Sequence, residues 1–151
     1  MLGRAVFVRA LLRAELAAGA LGLSSGLEYE PGIYSTPAEV LLLAQESARA
    51  GGRYISHLRS EDRWFEDAVE EIIRIGRVTG MPVKISHIKL AMTRLWDTAP
   101  ALIAQLDAAR ADRRHVQPVV LGRRLPALRS LVVGCFGVYG RVTYAGTVSL
   151  S

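Results

Sequence analysis

The 151-residue chain has one cysteine, Cys135, so no intramolecular disulfide can form. A lone thiol excludes a disulfide-stapled scaffold and points to a reducing compartment, with the cytoplasm as the expectation. Long hydrophobic runs are also missing. Stretches such as VLLLA at 40–44 are far too short to cross a bilayer, so no membrane association is expected. The apolar AVFV near the N-terminus is interrupted by Arg9, Arg13 and Glu15. No small-residue cleavage site follows it, and no signal peptide is read there.

Acidic residues are absent from the last quarter of the chain. Residues 1–112 carry 13 Lys and Arg against all 14 Asp and Glu, a balance of one negative charge. Residues 113–151 carry six arginines and no acid. The net charge of +5 therefore belongs to the tail and not to the body. Aromatics do not alternate with a basic stripe, and no nucleic-acid-binding motif is legible, so no nucleic-acid partner is expected. Neither GxGxxG nor GxxxxGK[ST] follows any apolar run, which weakens a nucleotide-binding reading.

What is present is a repeating pattern. Half the residues are hydrophobic, enough for one domain with a core. The spacing of Val6, Leu11, Leu12 and Leu16 predicts a helix over about 2–19, stopped by Gly19. ALGLS predicts a short buried strand, and SSGLEYEPGIYS predicts a structured loop. Thr36-Pro37-Ala38-Glu39 has the form of a capping box with proline at the first helical position, opening a helix that runs to about Ala50. RYISH at 53–57 reads as a second strand. Residues 62–77 read as an amphipathic helix closed by Gly80, and PVKISH at 82–87 as a third strand. A loop through Met92 and Trp96 leads to a helix of about 98–110, with a fourth strand beginning near 116. Strands separated by helices at intervals of roughly 30 residues imply parallel pairing through right-handed crossovers. Open doubly wound sheets and (β/α)8 barrels both fit.

Two phrases match: ISHLR at 55–59 and ISHIK at 85–89. Each sets a histidine at the C-terminal end of a strand, where parallel α/β folds gather functional groups. Neighbouring strands lie about 4.8 Å apart, so His57 and His87 can point into one site. The pair fits two hydrogen-bonded structural imidazoles, or two neutral ligands sharing one zinc. A zinc would still need a third ligand and a water for hydrolytic work. Ser24, Ser56 and Ser86 lie near strand ends, but no Ser-His-Asp arrangement is legible. Trp64 and Trp96 read as packing residues, and Arg59 with Glu61 as an ion pair orienting the His57 loop.

GALGLSSGLEYEPGIYSTPAEV, GGRYISHLRSED and MPVKISHIK resemble the N-acyl-D-amino-acid deacylases, or D-aminoacylases, of the amidohydrolase superfamily. The resemblance covers roughly residues 10–112. It implies a fragment of a metal-dependent (β/α)8 TIM barrel, about three to four βα units long, from an enzyme that hydrolyses the amide of N-acyl-D-amino acids. It implies zinc as cofactor, with His57 and His87 as metal ligands. It also implies that Lys89 meets the substrate carboxylate and that Tyr29 lines the substrate pocket. Both roles suit the chemistry, since an ammonium pairs with a carboxylate and a phenol can donate to a developing oxyanion.

The chain departs from the family pattern in several places. The family's upstream HxH pair, its zinc-binding cysteine and its late catalytic aspartate are missing, and Cys135 lies in the wrong place to substitute. The expectation is a partial barrel over residues 1–112 that is inactive or nearly so in isolation. A basic tail over 113–151 shows no family resemblance and reads as out of frame or disordered. His115, at the join, is given no role. The alternative is a non-catalytic product that self-associates, or pairs with another fragment, through open barrel edges.

Overall fold

The computed structural model describes residues 2–111 and the short stretch 116–118, with side chains described for 6–111. The expectations placed on Cys135, His115 and the rest of the tail lie outside the described residues. Helix α1 spans Leu2–Ala17, and strand β1 spans Gly22–Gly26. A 3-10 turn at Gly32–Tyr34 precedes helix α2, Pro37–Arg49. Strand β2 is Arg53–His57, helix α3 is Phe65–Thr79 and strand β3 is Val83–Ile85. A second 3-10 stretch, Thr93–Thr98, runs into helix α4, Ala99–Ala111, and strand β4 is Val116–Pro118.

Local chemistry accounts for the boundaries. At the start of α2 the Thr36 hydroxyl accepts from the Glu39 N–H, and the Glu39 carboxylate accepts from the Thr36 N–H. This reciprocal cap, with Pro37 behind it, satisfies two amides that helix geometry leaves unpaired. α3 ends at Gly80, whose φ of 68° lies in the left-handed region that glycine enters without a Cβ penalty. The helix starts at Phe65 and not at Asp62. Ser60 and Asp62 instead bond each other and the following amides in a tight turn.

All four strands are parallel and stand in chain order β1-β2-β3-β4. The register aligns Leu23 with Tyr54 and Val83, and Ser25 with Ser56 and Ile85. These residues share one sheet face, and all are buried. α2 and α3 cover that face and touch each other, supplying Val40, Ala44, Phe65, Val69, Ile72 and Ile73 to the core. Within it, Ser25 Oγ bonds Tyr54 Oη at 2.7 Å and Ser56 Oγ at 2.8 Å. The buried hydroxyls thus satisfy one another. The opposite face carries Ser24, Ile55 and Lys84, and partial burial holds the Lys84 amine below its ordinary pKa. No helix of the described residues is long and apolar enough to cross a membrane.

Two largely buried carboxylates, each paired with arginine, tie the helices to their neighbours. Glu46 of α2 is almost wholly buried and meets Arg9, Arg13 and Arg49. The arginine hydrogen bonds pull its carboxyl down to a pKa of about 2. Arg59 grips Glu71 of α3 through Nε and Nη2 at 2.8 and 2.9 Å, and donates to the Ser35 carbonyl at 2.7 Å. The expected Arg59–Glu61 pair is therefore corrected. Arg59 points to α3 and the α2 approach, and Glu61 turns the other way. Trp64 and Trp96 are corrected as well: both are largely exposed rather than packed.

Candidate metal centre

β2 ends at His57, and β3 ends two residues before His87. The pairing continues past the formal strand ends. Leu27 N–H donates to the His57 carbonyl and Ser86 N–H to the Ser56 carbonyl. These bonds hold the loops after β1, β2 and β3 side by side at one end of the sheet.

Five side chains converge there. His57 Nδ1 lies 2.7 Å from His87 Nε2, with ring centroids 4.4 Å apart. His57 Nε2 lies 2.7 Å from Glu28 Oε2. Glu61 Oε1 is 2.6 Å from His87 Nδ1 and 3.8 Å from His57 Nδ1. Glu61 Oε2 forms a close ion pair with Lys89 Nζ. Tyr29 stands beside them, its ring centroid 5.2 Å from that of His57. Its hydroxyl end lies over Gly26, in the space a side chain there would fill. The four residues singled out from sequence thus meet: His57, His87 and Tyr29 around one point, and Lys89 linked to it through Glu61.

Glu28 and Glu61 were not read as site residues from the sequence. The sequence reading pairs Glu61 with Arg59, two residues before it, although HLRSE sets a carboxylate four residues after the first histidine. Glu28 carried no signal beyond standing next to Tyr29.

The donor set fits a divalent metal. Ligand atoms of His57, Glu61 and His87 all lie within 4.8 Å of one another. Two nitrogens and a carboxylate oxygen are borderline-hard donors of the kind that zinc accepts. Glu61 Oε1 and His87 Nδ1 are both buried, and neither has a hydrogen-bond partner of acceptable geometry. Buried polar atoms left in this condition in a native fold call for an explanation, and the two lie 2.6 Å from each other. Ser24 and Ser56 form no nucleophile arrangement with either histidine, and Ser56 belongs to the hydroxyl network with Ser25.

Comparison with known proteins relates the chain to one group of enzymes. No family model matches the chain. It is 41% identical over 101 residues to an N-acyl-D-glutamate deacylase from Alcaligenes xylosoxydans xylosoxydans, covering 67% of this chain and 21% of that protein. It is 37% identical over 140 residues to a D-aminoacylase from the same organism, covering 85% of this chain and 28% of that one. The second alignment covers more than residues 1–112 make up, and so runs past Asp112. The solved structure of the N-acyl-D-glutamate deacylase from Bordetella bronchiseptica superposes with a TM-score of 0.75 at 36% identity. That complex, bound to zinc and a phosphonate mimic of the tetrahedral intermediate, is matched over 80% of this chain and 25% of its own. The chain spans about a quarter of the length of the relatives it matches. By sequence and by backbone, it is a homologue of one segment of the N-acyl-D-amino-acid deacylases.

Proposed function

We propose that this chain is the metal-holding segment of a zinc-dependent amidohydrolase that cleaves N-acyl-D-amino acids to a D-amino acid and a carboxylate. The observation that carries the proposal is the convergence of His57 and His87 at the ends of adjacent parallel strands, with the Glu61 carboxylate within reach of both. Its relatives are deacylases of this substrate class, and one is solved with zinc.

The fold reading is a sector of a (β/α)8 barrel. Parallel strands in strict chain order, with α2 and α3 on one face, are what a barrel sector requires. In a doubly wound sheet the order reverses and the helices divide between faces. The face bearing Ser24, Ile55 and Lys84 would then be the barrel interior.

In this reading His57 and His87 hold the metal, and residues 1–112 form the functional unit. Zinc bound there supplies a Lewis acid that polarises an acyl carbonyl and acidifies a water. The chain's own residues do the rest. Lys89, more than half exposed, reaches from its Glu61 anchor to meet the carboxylate of the amino-acid half. Tyr29, braced over Gly26, donates its phenolic hydroxyl towards the amide oxygen. The isolated chain is inactive or nearly so, because a partial site gives no general base.

A chimera tests the proposal. Residues 10–112 replace the matching segment of an N-acyl-D-glutamate deacylase, and release of D-glutamate from its N-acyl derivative is followed with and without zinc. Turnover that disappears with His57→Ala supports the reading. A folded, zinc-loaded chimera without turnover contradicts it.

A further inference from the structure

We infer that Glu61 is a positioning residue, one that fixes the ring of His87 and ties Lys89 to the same point. The inference rests on the reading of His57 and His87 as a metal pair.

Glu61 is held more firmly than an ordinary loop carboxylate. Its side chain is 5% exposed. Its N–H donates to Glu28 Oε1 at 2.9 Å, and its carbonyl accepts from the Ala91 N–H at 3.0 Å. Glu61 thereby joins the loops that follow β1, β2 and β3. One carboxylate oxygen faces Lys89 and the other faces His87 Nδ1.

That second contact is incomplete. The two atoms are 2.6 Å apart but misaligned for a hydrogen bond, and neither has any other partner. Leaving a buried acceptor and a buried ring nitrogen unpaired is costly. A proton on Nδ1 and a small turn of the ring satisfy both. His57 is arranged in the same way, with Nε2 bonded to Glu28 Oε2. Each imidazole therefore turns one nitrogen outward to a carboxylate and one inward to its neighbour. That leaves His57 Nδ1 and His87 Nε2 as the two nitrogens that would hold a cation. A carboxylate behind a ligating imidazole fixes the tautomer and raises ligand basicity. Glu61 holds the ring of His87 and, with its other oxygen, sets the position of the substrate-facing ammonium.

The test uses the full 151-residue chain labelled with nitrogen-15. Zinc is titrated into the wild type, Glu61→Gln and Arg59→Ala, and long-range proton–nitrogen NMR reads the imidazoles of the zinc-loaded wild type. The expected spectrum has zinc on Nε2 of His87 and a proton on Nδ1. Zinc affinity falls about 10- to 100-fold in Glu61→Gln and stays within about two-fold in Arg59→Ala. Zinc on Nδ1 of His87 overturns the inference without any variant, so a misfolded Glu61→Gln cannot shield it. Unchanged affinity in a folded Glu61→Gln also overturns it. In both cases the metal reading survives. No zinc uptake by the wild type removes the metal reading and the inference together.

Discussion

His57 and His87 meet nitrogen to nitrogen at 2.7 Å, but not through matched strand positions. The register sets Ser56 opposite Ile85, and therefore carries His57 to the level of Ser86. The repeated ISH phrase is thus one residue out of phase with the ladder. β3 ends at Ile85 and the chain bends at Ser86, which swings His87 round to face its partner. A histidine left in regular strand geometry would have pointed to the helix side.

Arg59 is structural. Its two bonds to Glu71 and one to the Ser35 carbonyl join three segments on the helix side of the sheet. Arg59→Ala should cost about 2 kcal/mol by urea unfolding, as expected for charged hydrogen bonds lost at a half-buried site. Zinc affinity should be unchanged, measured in the same preparation.

Glu46 gives the chain an acid-sensitive joint. Its folded pKa, near 2, lies below the ordinary carboxyl value of 4.5. The stabilisation is therefore complete above pH 4.5 and is lost as pH falls towards 2. Glu46→Gln should lower stability by about 2 kcal/mol at pH 7. The gap to wild type should close between those two pH values in unfolding curves.

Tyr54 has the opposite sign. Burial pushes its phenol up to about 12, from an ordinary 10. The unfolded chain releases this proton first, so stability should decline as pH rises from 10 towards 12. Tyr54→Phe should remove this part of the alkaline dependence. The substitution itself should cost about 1 kcal/mol, since Ser25 and Ser56 still bond each other.

Two glycines separate function from stability. A Cβ at Gly26 would meet the Tyr29 hydroxyl, the free end of a side chain that can move. Gly26→Ala should spare stability and abolish NMR contacts between the Tyr29 and His57 rings. A Cβ at Gly32 would meet the Gly26 carbonyl, which is backbone. Gly32→Ala should cost about 2 kcal/mol, measured by thermal unfolding.

Strong local signals made most of the fold legible. The Thr36–Glu39 cap and Gly80 each punctuate an element where the sequence reading put it. RYISH forms the strand read there. The misreadings concern side-chain partners. Arg59 and Glu61 lie two residues apart, and strand-to-loop geometry sends them to opposite sides. Glu61 joins the site through contacts with residues 26 and 28 positions further on, which no local pattern reports. The two tryptophans, read as packing residues, are exposed, and no local pattern distinguishes the two cases.

The most direct test is the zinc content of the purified chain beside a His57→Ala/His87→Ala double variant. The account predicts close to one zinc per wild-type chain and none in the variant. Zinc absent from both, or retained by the variant, would contradict a metal centre at these strand ends.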